Sequence, residues 1–296
     1  MDHHRRSLTE VRPGKQALRS IFLAAALATG LTTPSNLYAQ RDAAKETDGD
    51  GPLVTDRPDF TESTDAVPTG RVQLEAGYTF TYDREGKDRL RDHTAPELLL
   101  RIGVAKDFEL RIGWDGYSWT DSQFEGETRS GRRVTREDWS QGAHDMSLGF
   151  KYKFHGQDGW KPHFGVIGAI SVPSGSHGIS SGDVDPEVVL LWAYDVNDSL
   201  AVAGNVGFAV PTDAGDRFFQ ASASFSVAFP LTDKLGAYIE YFGLYPNTEE
   251  TDAAHTINGG LTFLVHNDLQ LDWRIGVGLN EEANDFFTGI GISRRW

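Results

Sequence analysis

Leu269-Gln-Leu-Asp-Trp-Arg-Ile-Gly-Val277 alternates without a miss. Leu269, Leu271, Trp273, Ile275 and Val277 are apolar, and Gln270, Asp272, Arg274 and Gly276 lie between them. A period of two puts the first set on one face of a β-strand and the second on the other. The polar break Asn280-Glu-Glu-Ala-Asn284 follows. The chain then returns through Asp285–Trp296, with Phe286, Ile290, Ile292 and Trp296 on one face and Phe287, Gly289, Gly291 and Ser293 on the other. A last strand that stops on an apolar-face tryptophan is expected of a membrane barrel, where lipid covers the face and the first strand covers the edge.

Working back from that hairpin, the same rhythm predicts ten earlier strands. They are Arg71–Tyr82, Thr94–Val104, Phe108–Gly116, Ala143–Phe154, His163–Val172, Pro186–Asp195, Leu200–Val210, Phe218–Phe229, Leu235–Gly243 and Ala254–Val265. Short connections (Ala105–Asp107, Val196–Ser199, Pro230–Lys234, His266–Asp268) interleave with longer or more polar ones. The longer set is Asp83–His93, Tyr117–Gly142, Pro173–Asp185, Pro211–Arg217, Leu244–Ala253 and Asn280–Asn284. Turns on one side and loops on the other are the pattern of outer-membrane barrels, whose strands of about 10 residues cross an apolar band of about 25 Å. The expected fold is therefore all-β, a transmembrane antiparallel up-and-down barrel of about 12 strands. A soluble sandwich also alternates, but it has no use for Trp114, Tyr117, Trp119, Trp192, Tyr194, Tyr241, Tyr245 and Trp296 near strand ends, where interfacial girdles lie.

Composition fits an exported envelope protein. The 296 residues include no cysteine, and no run reaches the roughly 18 apolar residues of a spanning helix. Arg5, Arg6, Arg12, Lys15 and Arg19 precede the apolar run Ile21–Ala28, and Leu37-Tyr-Ala39 offers a cleavage site. Residues 1–39 are read as a signal peptide. They carry five basic and two acidic side chains, so their removal takes the formal charge from −15 to −18. That acidity argues against nucleic acid as a partner, and the absence of cysteine excludes disulfide frameworks and thiolate metal sites. Residues 40–70 are read as a periplasmic linker with a plug-like segment, and 71–296 as the barrel.

Two stretches are more distinctive than the rhythm. Thr55-Asp-Arg-Pro-Asp-Phe-Thr-Glu-Ser63 is followed by Gly70-Arg-Val-Gln-Leu-Glu-Ala-Gly-Tyr78. Together they resemble the start of the bacterial outer-membrane proteins grouped as the meta-pathway phenol-degradation (MetA-like) transporter family. The resemblance implies an outer-membrane location in a Gram-negative-type envelope. It also implies passive passage of a small solute, of an aromatic or other hydrophobic kind. Expected partners are outer-membrane lipid, a small-molecule solute and, through the C-terminal strand, the barrel-assembly machinery. No cofactor and no metal are expected.

Strand phase turns one charged set away from lipid: Glu75, Glu97, Arg101, Glu109, Arg111, Asp145, Lys151, Lys153, Glu187, Glu240, Asp272 and Arg274. Such charges must pair or be hydrated. They form either an ion-pair network that holds a narrow barrel rigid, or a charged path that selects solutes. Leu53–Ser63, with Asp56, Arg57, Asp59 and Glu62, is either a plug in the periplasmic mouth or an ordered lead-in to the first strand. A barrel of this size passes a solute only if loops and the N-terminal segment leave room.

Catalysis finds no support. Gly178-Ile-Ser-Ser-Gly182 has the letters of a nucleophile elbow, but no helix follows it. His144, His163, His177, His255 and His266 are scattered, with no telling serine spacing or zinc-ligand cluster. A closed structural barrel is the other class, using the charged Tyr117–Gly142 stretch (Asp121, Glu125, Glu127, Arg129, Arg132, Arg133, Arg136) as a surface-interaction loop.

Overall fold

The computed structural model describes residues 51–127, 133–248 and 251–296. The signal-peptide reading, the linker before residue 51, and Arg129 and Arg132 lie outside the described residues. In chain order the strands are β1 (Val72–Glu85), β2 (Asp88–Ala105), β3 (Phe108–Trp114), β4 (Tyr117–Glu127), β5 (Arg133–Ala143), β6 (Met146–His155), β7 (His163–Val172) and β8 (Asp185–Asn197). They continue with β9 (Leu200–Ala209), β10 (Thr212–Asp213), β11 (Asp216–Arg217), β12 (Gln220–Pro230), β13 (Leu235–Pro246), β14 (Ala254–His266), β15 (Leu269–Gly278) and β16 (Phe286–Arg295). No helix occurs among the described residues.

All pairings are antiparallel neighbours. The order runs β1-β16-β15-β14-β13-β12-β9-β8-β7-β6-β3-β2 and closes through β1–β2. Twelve strands make the wall, and the closing seam joins the first to the last, with Gly77 opposite Gly291.

Burial is inverted relative to a soluble domain. In β15, Gln270, Asp272 and Arg274 are buried, while Leu271, Trp273, Ile275 and Val277 stay exposed. The same phase leaves Leu148, Phe150, Val188, Leu190, Phe225, Ile239, Phe263 and Ile290 on the outer face. Arg57, Arg101, Arg274 and Lys151 are among the largest fully buried side chains. Lipid is the solvent that such an outer face requires.

Two expected loops prove to be sheet. β1 and β2 pair as far as Glu85–Asp88, so Asp83–His93 is a tight hairpin and not a loop. Tyr117–Gly142 is the hairpin β4–β5, paired from Tyr117–Ala143 to Glu127–Arg133. β2 is long enough to pair with β3 through its second half and with β4 through its first. β3 and β4 are thus one wall strand interrupted at Asp115-Gly116, and β5 and β6 are another interrupted at His144-Asp145. The breaks are adjacent, and His144 N donates to Gly116 O at 2.9 Å. Gly116 has φ +92, and a Cβ there would lie 2.7 Å from Pro96 O. A side chain is excluded on both counts.

Candidate functional site

Alternation decides which side chains reach the barrel axis, and Leu53–Val67 meets them there. This segment belongs to no strand, yet Leu53, Thr55, Asp56, Arg57, Asp59, Thr61, Glu62, Ser63 and Val67 are all buried. It enters at the short-turn end, where Leu53 N donates to Asn267 O at 2.7 Å and Arg295 bonds Gly51 O. It returns to the same end, where Gly70 N donates to Gly103 O at 2.8 Å, and there it starts β1.

One charge cluster gathers around Asp56. Lys151 Nζ donates to its two oxygens at 2.7 and 2.8 Å, Arg101 lies at 3.3 Å, and Arg111 also pairs with it. The Asp56 amide donates to both oxygens of Glu75 at 2.9 and 3.0 Å. Arg101 bridges Glu75 at 3.1 Å and Glu109 at 2.8 Å, and Arg111 reaches Glu62 at 2.8 Å. Lys153 holds Asp65 at 2.5 Å.

A second cluster gathers around Arg57, which pairs with Glu97 at 2.9 Å and Asp272 at 3.4 Å. Gly77 and Gly291 make its slot. A Cβ on Gly77 would fall 2.1 Å from Arg57 Nη1, and one on Gly291 would fall 2.3 Å from Nε. The third cluster holds the tip of the segment. The Phe60 amide and Thr61 Oγ1 donate to Glu240, at 2.8 and 2.6 Å for the shorter contacts. Ser226 Oγ donates to Asp59 at 2.9 Å. The Phe60 ring stacks on Phe242 at 4.6 Å, with the Arg274 guanidinium 5.4 Å from its centre.

The structure thus brings Glu75, Glu97, Arg101, Glu109, Arg111, Lys151, Asp272 and Arg274 together around Asp56, Arg57, Asp59 and Glu62. Asp145 is elsewhere. It sits at the wall break and accepts from Gly175 N at 2.7 Å, Ser181 N at 3.0 Å and Ser180 Oγ at 3.1 Å, fastening loop 173–184. Ser180 of the elbow-like motif is therefore a loop fastener. Sequence reasoning missed Asp65, Phe60, Ser226 and Asn258 as contact residues. Asp65 and Phe60 lie outside the strands, while Ser226 and Asn258, whose Nδ2 donates to Glu240 at 2.6 Å, face inward by phase but carry no charge to mark them.

Above the segment, on the loop side, lies a cavity of about 450 Å³. It is lined by Asp115 and His144 at the breaks, loop residues 177–182, Pro186 and Glu187 of β8, the turn around β10–β11, and Phe218 and Gln220 before and in β12. Gln220 lines the cavity, and Ser224 on the same strand face bonds Thr61 at 2.8 Å. Four residues of strand separate them, about 13 Å. At the opposite end, Asp268 pairs with Arg71 at 3.0 Å and Arg295 at 2.8 Å. Partial burial favours its neutral form, but the hydrogen bond and charge of Arg295, then Arg71, prevail and hold its pKa below the ordinary value.

Residues 55–296 match the family described as "Putative MetA-pathway of phenol degradation". Among curated protein sequences no match is found. An outer-membrane channel from Pseudomonas putida F1 superposes with a TM-score of 0.59 at 11% identity, covering 79% of this chain and 98% of that one. The translocator domain of the autotransporter NalP from Neisseria meningitidis gives 0.48 at 12%, covering 76% and 88%. A monoaromatic hydrocarbon channel, CymD, gives 0.46 at 10%, covering 77% and 89%.

Proposed function

From the premise that the chain belongs to this MetA-pathway phenol-degradation family, and is an outer-membrane β-barrel, we propose that it is a channel for passive passage of a small solute, aromatic or otherwise hydrophobic, and that residues 53–67 are its plug. One observation carries this reading. The lumen is filled by a segment that belongs to no wall strand, enters and leaves at the short-turn end, and meets the wall between through hydrogen bonds and ion pairs. A barrel built only to be rigid would fill its interior from its own strands. Here the filling is a separate piece of chain, held by hydrogen bonds and ion pairs that exchange with water when it moves. The solute enters the loop-side cavity, waits above Thr61 and Phe60, and passes when the segment shifts. Neither a cofactor nor an energy source takes part in such a passage.

The dense ion pairing around Asp56 and Arg57 favours the second reading, a closed structural barrel. Planar-bilayer conductance of residues 40–296 separates the two. Phe60→Cys with Phe242→Cys, in a chain without native cysteine, locks the segment when oxidised. The channel reading expects silence in the oxidised form and openings after reduction, with larger openings on deleting residues 53–67. Folded, heat-modifiable barrels that stay silent in all three states would leave the closed barrel standing.

A further inference from the structure

Phe60 is out of place in its own segment. From Thr55 to Thr64 every residue is buried except Phe60, so the polar side chains are hidden and the one aromatic ring is left partly exposed. It sits at the tip, and the wall receives it in a hollow shaped for a ring. Phe242 of β13 stacks on its face at 4.6 Å and 16°, and Phe287 of β16 meets it edge-on at 5.7 Å and 78°. The Arg274 guanidinium of β15 lies 5.4 Å from the centre of the Phe60 ring and 5.6 Å from that of Phe287. A stack, an edge contact and a cation over the face are the three arrangements that an aromatic ring's charge distribution favours.

All three walls of the hollow belong to the barrel and not to the segment. Phe287 lies across Gly276, where a Cβ would fall 2.3 Å from its ring, and a Cβ on Gly289 would come within 3.2 Å of Arg274 Nε. Glycine at both positions lets Phe287 and Arg274 lie flat against the wall. Thr79 of β1 holds Arg274 from the wall side, accepting from its Nη2 at 2.8 Å. The hollow therefore does not take its shape from Phe60, and it fits what it now holds, a single aromatic ring. Arg274 already donates its other terminal nitrogen to Pro58 O at 3.1 Å. The Glu240 carboxylate lies at the backbone end of the ring, bonded to the Phe60 amide at 2.8 Å. An anionic ring compound would set its charge against Glu240, whereas an uncharged one keeps the stack and the cation contact.

We propose, resting on the solute-channel reading above, that this hollow is a binding site for the solute inside the barrel and that Phe60 is the segment's stand-in for it. An uncharged single-ring arene takes the place of Phe60 between Phe242, Phe287 and Arg274, and the displaced ring frees the tip of the segment to shift. The plug is thus loosened by the kind of molecule that is to pass.

Two measurements on the detergent-solubilised chain 40–296 test this, with benzyl alcohol as the arene and cyclohexylmethanol as a six-membered ring without π-electrons. In isothermal titration Phe60→Ala, with the hollow vacated, is expected to bind benzyl alcohol about tenfold tighter than wild type, the factor of one good aromatic stack. For the second, Thr64→Cys supplies a single buried thiol in a chain without native cysteine. Its maleimide labelling is expected to speed up with benzyl alcohol, to saturate, and to ignore cyclohexylmethanol. With Phe60→Ala added, labelling is expected to be fast from the start and indifferent to either alcohol. Since Thr64→Cys alone keeps Phe60 in place, the labelling decides even if Phe60→Ala fails the heat-modifiability check. Equal effects of the two alcohols, or Phe60→Ala binding benzyl alcohol no better than wild type, would overturn the proposal. Arene-dependent labelling of a barrel that never conducts keeps the hollow and removes the channel. Conductance through a barrel whose labelling ignores benzyl alcohol removes the arene site alone.

Discussion

The guanidinium of Arg57 has almost no contact with water, and its two acids, with the Ile290 carbonyl at 3.3 Å, make that tolerable. Arg57→Ala leaves Glu97 and Asp272 buried without this partner, a loss of about 3–5 kcal/mol for a broken buried pair. Since the pairing exists only when the segment is docked, the expected outcome is an undocked segment, read as faster maleimide labelling of Phe60→Cys. Gly77→Val should give the same result for a steric reason, because its Cβ occupies the Arg57 slot. Asp268 acts at the other end. Its pKa is depressed in the folded state, so its contribution is present above the ordinary value of 3.8 and disappears as pH falls through the lower folded value. Urea unfolding in micelles should show wild type more stable than Asp268→Asn at pH 6, with the gap closing as the pH approaches 2. Phase in the sequence tells which charges face inward. It says nothing of partners, because Asp56 reaches Lys151 across 95 positions, a distance set only by the closed barrel.

At the level of elements, lipid explains what alternation reveals and what it hides. Between Leu269 and Val277 every second residue must be apolar because it faces hydrocarbon, so β15 is legible to within a residue. β4 and β5 stand beyond the band, where both faces meet water. Thr120, Asp121, Ser122 and Gln123 carry no apolar phase, although each is paired with β5. The stretch therefore reads as a loop and folds as a hairpin. Since β5 pairs only with β4 among the described residues, the extension is expected to be dispensable to the wall. Replacing residues 118–142 by Asn-Gly should leave a heat-modifiable barrel in gel-shift assays. Loss of that mobility would mean that the hairpin supports the wall. The cavity was illegible for a different reason: its lining comes from several strands and two loops, mostly small residues with no spacing to betray them.

The whole molecule is a polar interior wrapped in an apolar skin, and its stability depends on which medium surrounds it. Leu148 is 46% exposed on β6 and faces outward. Leu148→Arg should cost about 2–4 kcal/mol in a bilayer if the residue lies near its midplane. The penalty should shrink on moving the arginine to Phe154, near the short-turn end, and folding titrations in lipid vesicles measure both. The architecture also ties the filling of the barrel to its seam. Arg57 docks where β1 meets β16, in a slot made of facing glycines, between an acid on β2 and another on β15. A slip of one residue at that seam would turn every side chain of the slipped strand to the wrong face. A slip of two would keep the faces but shift the acid of β2 about 7 Å along the barrel relative to that of β15, so that one guanidinium could no longer reach both. The N-terminal stretch is therefore a gauge of its own barrel's assembly: it seats only in a cylinder zipped in the correct register, and a misclosed one keeps an empty bore and a dangling tail for envelope proteases to find.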